Sequence, residues 1–439
     1  MSEQALPLAM AGLTMAGILA GYRVAFVLAG AAALFILVSD LPLAFSKLIV
    51  SRIYANVLSN WLFVAIPMFI FMGLILECSG VAERTLKGAQ RALGGTPAGM
   101  GVSVLVIGVL LAASSGVVGA SVVLLTLLAL PRMQEAGYDD ATASGLVAAS
   151  GTLAILIPPS VMLIVLGDQL QTPVPDMFAS AIGPGLLLVF LYGLYVLWRA
   201  RQLPVKRHGQ DGEGASSGWL GLAVDVAPLV LLVVSVLGSI IAGLATPTEA
   251  SGLGALGALL VTMLYRKFSL SMLMRAARGT VVATAMVALV IIGATCFAAV
   301  FRGIGGDEMI RDGLGLFGDA PWVVLAVVMG AIFLLGFFLD WLEITLILVP
   351  IFAPVVAGLD FGNGLAGQEL MVWFGILVAV NLQTSFLTPP FGFSLFYIRG
   401  AMRDRLDTMA IYRGVLPFIA LQLVALGLLM AMPRLVTGL

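Results

Sequence analysis

Apolar stretches follow one another through almost the whole of this chain, many of them long enough to cross a bilayer, so most of its backbone must fold inside a membrane. They cover 6–20, 22–39, 61–79, 98–113, 117–131, 142–170, 181–198, 225–243, 247–265, 280–301, 321–338, 343–358, 370–398 and 414–432. In hydrocarbon every backbone N–H and C=O needs a partner within the protein, and tandem apolar runs meet that need as helices. Only 10% of the 439 residues are charged, whereas a soluble domain carries about 25%. The expected fold class is an all-α polytopic membrane protein, and a soluble protein with one anchor is excluded. The net charge of −1 comes with no basic tract, so no nucleic acid partner is implied. Cys78 and Cys296 lie in separate apolar runs and the single His208 in a polar loop, which leaves no set for a disulfide framework, zinc or haem. Residues 1–39 lack the basic start and cleavage site of a signal peptide and are read as retained spans.

Two adjacent pairs of runs are unlike ordinary spans. Segments 98–113 and 117–131 are separated by Ser114, Ser115 and Gly116, and segments 321–338 and 343–358 by Asp340, Trp341, Leu342 and Glu343. Each pair suits a re-entrant hairpin that enters and leaves by one face, a backbone path tolerated at depth only where it lines a cavity. With both pairs treated as hairpins, 17 of the 22 Lys and Arg residues fall on one side. That side is cytoplasmic by the positive-inside rule and includes the loop with His208. Lys47, Arg52, Arg302, Arg311 and Arg434 remain outside, and both termini face outward. Trp61, Trp322 and Trp373 fall near outer ends and Trp198 near an inner end, as an interfacial belt would place them.

The hairpins belong to a repeat. Span 61–79, polar arm 80–97, hairpin 98–136 and a span broken at Pro158-Pro159 are echoed by span 280–301, arm 302–319, hairpin 321–359 and a span broken at Pro389-Pro390. Four spans separate the two openings, so the halves run in opposite directions, the design of many alternating-access transporters.

Proline removes an N–H and clashes with the carbonyl four residues before it, so Pro-Pro opens a helix. Freed carbonyls can coordinate a dehydrated cation, and the half-helix that follows presents N–H groups and a positive dipole to a carboxylate. The first half offers Gly151, Thr152, Leu153 and Ala154 before Pro158 and Pro159, with Ser160 after them. The second offers Gln383, Thr384, Ser385 and Thr388 before Pro389 and Pro390, with Gly392 after. Ser114, Ser115 and Gly116 at one tip and Gly336 at the other allow close approach to a ligand, and Asp340 offers a charge or a helix cap; the serines could equally be caps or packing points. An oxygen-only donor set of this kind suits sodium. Glu249, in Thr246-Pro247-Thr248-Glu249-Ala250, is divided between capping and function, as are Asp340 and Glu343. Glu77 and Asp168 are read as solvated at opposite interfaces.

Ile66-Pro67-Met68-Phe69, Gly151-Thr152-Leu153, Ile157-Pro158-Pro159-Ser160 and Thr246-Pro247-Thr248-Glu249-Ala250 carry a family resemblance, completed by GFFLDWLEITLILVPIFAP at 336–354 and NLQTSFLTPPFG at 381–392. In this order they resemble the large membrane subunit of tripartite ATP-independent periplasmic (TRAP) transporters. The last two look most like the branch associated with 2-oxo acid, lactate or mannitol/chloroaromatic-type systems. The resemblance implies a soluble periplasmic binding protein, a small four-span membrane subunit, a small carboxylate substrate and sodium ions as coupling ions, with no other cofactor. It implies elevator-like movement, with sodium held by Ser114 to Gly116 with Gly151 to Ala154, and by Gly336 to Asp340 with Ser385 to Thr388. Many relatives carry glycine where this chain has Ser385 and Ala154.

The expected division is scaffold at 1–97, 171–320 and 399–439, and transport domain at 98–170 and 321–398. The expected function is sodium-coupled uptake of a small organic acid across a bacterial inner membrane, without covalent chemistry. The rivals are a stand-alone sodium/carboxylate symporter, a channel, and a membrane-embedded enzyme, the last kept open by Asp340 and Glu343.

Overall fold

A computed structural model describes residues 5–39, 41–42, 44–81, 83–85, 88–89, 96–116, 118–203, 218–316, 320–402 and 405–438. Among them the regular structure is helical, and eight helices are long and apolar enough to cross a membrane. The expected cytoplasmic His208 lies outside the described residues.

The opening helices α1 (Ala5–Leu19) and α2 (Val24–Val38) are packed together and joined through Gly21, whose φ of 86° suits a residue without Cβ. Next come α3 (Ala44–Ile53), a π-helical turn (Tyr54–Leu58), a short 3-10 turn (Trp61–Val64) and α4 (Ala65–Cys78). The first hairpin is α5 (Pro97–Ser115) and α6 (Val118–Glu135). Thr96 starts it by accepting from the Gly99 N–H at 3.1 Å, with Pro97 in the first turn, where no intrahelical donor is needed. The broken span follows as α7 (Asp140–Thr152), a 3-10 turn (Leu153–Ile155) and α8 (Val161–Leu170), and α9 (Val174–Ala200) closes the half.

Helices α10 (Gly218–Ile241), α11 (Pro247–Leu264) and α12 (Leu270–Gly303) lead to α13 (Gly306–Gly315). The second hairpin is α14 (Pro321–Leu335) returning through α15 (Trp341–Ile347) and α16 (Val349–Ala357). Its broken span is α17 (Gly367–Leu387) and α18 (Phe393–Met402), and α19 (Thr408–Ala431) follows. At 34 residues, α12 starts well before the expected apolar run at 280. Ser269 caps it by accepting from the Met272 N–H at 3.1 Å, and Arg275 and Arg278 continue it. Helical hydrogen bonding does not stop where apolarity does.

Both hairpins close at their open ends. Tyr138 donates its hydroxyl to the Pro97 carbonyl at 2.8 Å, and the Trp322 and Phe361 rings meet edge-on at 5.2 Å between centroids. These contacts bring the entry and exit of each hairpin to one face. Around them α5, α6, α7, α8, α9, α14, α15, α16, α17, α18 and α19 pack on one another, whereas α2, α4, α11 and α12 form a second group, with α10 against α11. Helices α9 and α19 pack directly on α5, α7 and α17.

Trp373 is not part of an interfacial belt: it is fully buried and donates from Nε1 to the Leu429 carbonyl at 3.0 Å. An indole N–H accepted by a carbonyl of a neighbouring helix has no need of the headgroup region. Asp168 is likewise not free in solvent, since it accepts from Asn60 Nδ2 at 2.8 Å and ties the end of α8 to the turn before α4. Glu77 keeps one buried carboxyl oxygen without a hydrogen-bond partner. On the expected inner side, Asp139 caps α7 through the Thr142 N–H and pairs with Arg199 of α9 at 3.1 Å. Burial pushes its carboxyl up, but the bonds from Thr142 and Arg199 outweigh that and hold it below the usual carboxylate range.

The tightest crossing joins α7 to α19. A Cβ on Gly145 would strike the Gly414 carbonyl, and one on Gly414 would strike the Ala141 carbonyl, so backbone meets backbone there. Gly427 on the same helix has open space around its Cα. Gly414→Val is therefore expected to cost at least about 1–3 kcal/mol by overpacking and to lower the melting midpoint of the detergent-purified chain. Gly427→Ala should leave that midpoint unchanged. Fluorescence-detected thermal unfolding compares the two.

Candidate functional site

The proline pairs break their helices in matching ways. Pro158 and Pro159 cannot return N–H groups to the carbonyls of Ala154 and Ile155, and the Ser160 hydroxyl donates to Ile155 O at 2.6 Å instead. Pro389 and Pro390 withhold N–H groups from the carbonyls of Ser385 and Phe386, and Ser394 donates to Phe386 O at 2.6 Å. Within each break one carbonyl is thus recaptured by a downstream serine. The carbonyl before it belongs to Ala154 in one half and to Ser385 in the other. Ala154 receives no N–H from position 158, and Ser385 keeps only a 3.2 Å bond from the Thr388 N–H. Both Pro-Pro bonds are cis.

Each hairpin tip reaches its own break. Gly116 closes α5 in the left-handed region at φ 60°, and a Cβ there would sit 3.5 Å from the Pro159 carbonyl and 3.7 Å from the Val161 nitrogen at the start of α8. The first hairpin therefore ends at the depth of the break. Gly151 lies against the other hairpin arm, where a Cβ would come within 2.5 Å of the Val122 side chain. In the second half Gly336 abuts Ser385, and a Cβ would strike its hydroxyl oxygen and approach its Cβ to 2.7 Å. Where the resemblance makes glycine usual at position 385, the serine side chain is accommodated by the missing side chain of Gly336.

The half-helices after the breaks cross over. Helix α8 packs on α15 and α16 of the second hairpin, and α18 packs on α6 of the first, where Gly119 faces the Tyr397 ring. Each hairpin thus meets the helix before its own break and the half-helix after the other. Where α7 and α17 meet, Gln383 Nε2 donates to Thr152 Oγ1 at 3.5 Å. Those residues are 231 apart, the same spacing as Pro158 and Pro389, so the contact joins equivalent positions of the two halves. The amide oxygen of Gln383, Oε1, is buried without a partner.

The candidate hydroxyls are oriented by their own helices. Ser114 donates to Leu111 O at 3.2 Å, Thr152 to Ala149 O at 2.9 Å, Thr384 to Val380 O at 2.9 Å, Ser385 to Leu382 O at 2.8 Å and Thr388 to Thr384 O at 2.8 Å. With its hydrogen committed to a carbonyl, each hydroxyl oxygen keeps lone pairs for a cation. Thr152, Thr384 and Ser385 are fully buried, and Thr388 is half-buried beside exposed Pro390. Among the described residues no cluster of three His, Cys, Asp or Glu side chains forms a metal-binding group.

The remaining candidates have local partners. Asp340 caps α15 by accepting from the Trp341 N–H at 2.7 Å. Glu343 is buried in that helix, with one oxygen unpartnered. Glu249 closes a capping box with Thr246 at the start of α11, accepting from its N–H and hydroxyl, each at 2.8 Å. Asn381 was outside the expected site set, yet its buried amide donates to Met329 O at 2.7 Å and fixes α17 against α14. Its place at the head of the NLQTSFLTPPFG stretch was the available sequence signal.

Residues 11–435 match the family described as tripartite ATP-independent periplasmic transporter, DctM component. The C4-dicarboxylate TRAP transporter large permease protein DctM of Pseudomonas aeruginosa is 30% identical over 377 residues, covering 85% of each chain. The 2,3-diketo-L-gulonate TRAP transporter large permease protein YiaN of Escherichia coli is 28% identical, again covering 85% of each. Among solved structures, the YdaH transporter of Alcanivorax borkumensis superposes with a TM-score of 0.61 at 16% identity over 98% of both chains, a likeness of fold.

The Gly336–Ser385 contact yields a reciprocal test. Gly336→Ala should sharply reduce uptake by driving the hairpin off the break, and Ser385→Gly in the same chain should restore much of it by vacating the space. Initial uptake rates of both single variants and the double variant, normalised to folded protein, give the cycle. Additive losses would mean that this contact does not govern the site.

Proposed function

The chain belongs to the DctM-component family of tripartite ATP-independent periplasmic transporters, a transporter family and not an enzyme family, and from that premise we propose that it carries a small organic acid inward together with sodium. The observation that carries the reading is the pairing, in each half, of a hairpin tip with a helix opened by two prolines. Carbonyls of Ala154 and Ser385, hydroxyls of Thr152 and Thr388, and the tip backbones at Ser114 to Gly116 and around Gly336 supply oxygen at two equivalent positions. A dehydrated sodium ion requires several such oxygens at once. Backbone and hydroxyl oxygens provide them without the desolvation cost of a buried carboxylate. The uncapped N-terminus of α8 offers N–H groups to the acid. Each sodium moved through 100 mV contributes about 2.3 kcal/mol.

A C4-dicarboxylate and a diketo-gulonate name the relatives' cargoes, which supports a carboxylate here. The family is tripartite, so this reading assigns a periplasmic binding protein and a small four-span membrane subunit as partners. It sets the chain in the bacterial inner membrane with both termini outward. Movement is elevator-like: 98–170 and 321–398 travel against the group of α2, α4, α11 and α12. Helices α9 and α19 fall in the expected scaffold ranges 171–320 and 399–439, but α9 packs on the first hairpin and both helices pack on the broken spans, so this reading has them travel with the moving body.

Proteoliposomes containing this chain, the small subunit and the binding protein should take up acid down a sodium gradient, and the chain alone should not. Thr388→Val keeps the shape and deletes one oxygen. It should raise the sodium concentration for half-maximal uptake roughly two- to tenfold, the worth of about 0.5–1.4 kcal/mol for one polar contact. Unchanged sodium dependence with normal folding would remove Thr388 from the mechanism. Brisk uptake by the chain alone would favour the stand-alone symporter.

A further inference from the structure

A cavity of about 170 Å³ lies between the two groups of helices. One wall is a stripe of α12, formed by Ile291, Thr295, Ala298, Ala299 and Arg302. Their helical spacing turns one face toward the opening, and the two alanines leave it room. The opposite wall comes from Gln169 at the end of α8, and Leu346 and Pro350 of the second hairpin. Arg52 and Asn56 complete it from α3 and the π-helical turn that follows, a distortion often found at functional positions. Beside Gln169, the Asn60–Asp168 hydrogen bond bridges the same two bodies.

Charge singles out this cavity. Arg52 and Arg302 are two of only five basic residues that the charge count puts outside, and both line one space. Among the described residues Arg52 has no ion-pair partner. Arg302 has a loose one, 3.7 Å from the half-exposed Asp307 carboxylate. Two guanidiniums over a partly apolar floor, with no carboxylate among the described residues of the lining, form a receptor for an anion with a short carbon skeleton. The volume far exceeds the ~10–15 Å³ that one water needs.

We propose that this cavity is an outer vestibule in which Arg52 and Arg302 receive the carboxylate before it reaches the hairpin tips. The assignment of cargo rests on the organic-acid reading above. Its walls belong to bodies that move relative to each other in that reading, so the anion would be released when they part. A phosphate headgroup of an anionic lipid shares the chemistry that two arginines recognise, and the experiment separates these sources.

The test needs neither transport nor sodium, so it can fail while sodium-coupled uptake stands, and the reverse. In full-length chain with Cys78→Ser and Cys296→Ser, Thr295→Cys places a thiol on the cavity wall. Reaction from outside with 2-carboxyethyl methanethiosulfonate, an anion, is compared with its trimethylammonium counterpart, a cation. Leu316→Cys, at an 86% exposed position, gives the reference ratio of rates. Relative to that reference, the cysteine at 295 should favour the carboxylate reagent by about tenfold or more, as expected for a focused positive field. Arg52→Gln with Arg302→Gln should abolish the preference, and each single change should reduce it. The preference should persist in vesicles of phosphatidylcholine and of phosphatidylglycerol. Equal rates for the two reagents, no reaction at 295, or a preference indifferent to both arginines would overturn the proposal. Loss of the preference only in phosphatidylglycerol would overturn it in favour of a lipid site.

Discussion

A carbonyl that loses its helical donor inside a membrane has no water to turn to, and two proline pairs impose that condition twice in this chain. The cost of an unpaired polar group in hydrocarbon is several kcal/mol, so everything near the breaks is arranged around it. Ser160 and Ser394 each recapture one carbonyl. Gly116 of one tip lies against the Pro159 carbonyl and the Val161 nitrogen, and Gly336 of the other lies against the Ser385 side chain. Hairpins that end at mid-depth are themselves tolerable only because breaks receive them. Each irregular element shelters the other.

The crossover of half-helices extends that dependence from one half to the other. Because α8 leans on the second hairpin and α18 on the first, the two halves are packed into one unit. Gln383 and Thr152 join equivalent positions where α7 and α17 meet, within a fully buried stretch. A displacement at one break therefore has a short, packed route to the other. Tight glycine crossings such as Gly145 with Gly414 make this body stiff. Against the second group α5 packs on α4 and α15 packs on α12, and beside these contacts lie the Asn60–Asp168 hydrogen bond and an open cavity.

Much of this was legible in the sequence because proline pairs and polar tips interrupt an otherwise unbroken apolar pattern. Ser114 to Gly116 and Pro158-Pro159 stand out against hydrocarbon-compatible neighbours, as do Asp340 and Pro389-Pro390. The inverted order followed from counting runs between them. What stayed hidden depends on the third dimension. Trp373 resembles a belt residue by position, and only the Leu429 carbonyl makes it a core residue. Asp168 resembles a solvated helix end until Asn60, 108 residues away, is seen beside it. Helices α3 and α13 are too polar to register as spans. The exchange of half-helices has no signature in either segment's own composition, because α8 and α18 are apolar whichever hairpin they meet. Glu249 was divided between two roles in the sequence, and its partner Thr246 gives it a capping one.

Relative motion of the two bodies is the claim on which sodium coupling, carrier cooperation and the outer vestibule all converge. Electron–electron distance measurement tests it directly, with spin labels at Leu256 of α11 and Phe396 of α18, both exposed, in a chain lacking Cys78 and Cys296. A second pair at Leu127 of α6 and Phe396 reports within the proposed moving body. Replacing sodium with choline in lipid nanodiscs should shift the 256–396 distribution between two separated populations while the 127–396 distribution stays single and fixed. A 256–396 distance that is single and indifferent to sodium, or a 127–396 distance that changes with it, would contradict a rigid transport body moving against a scaffold.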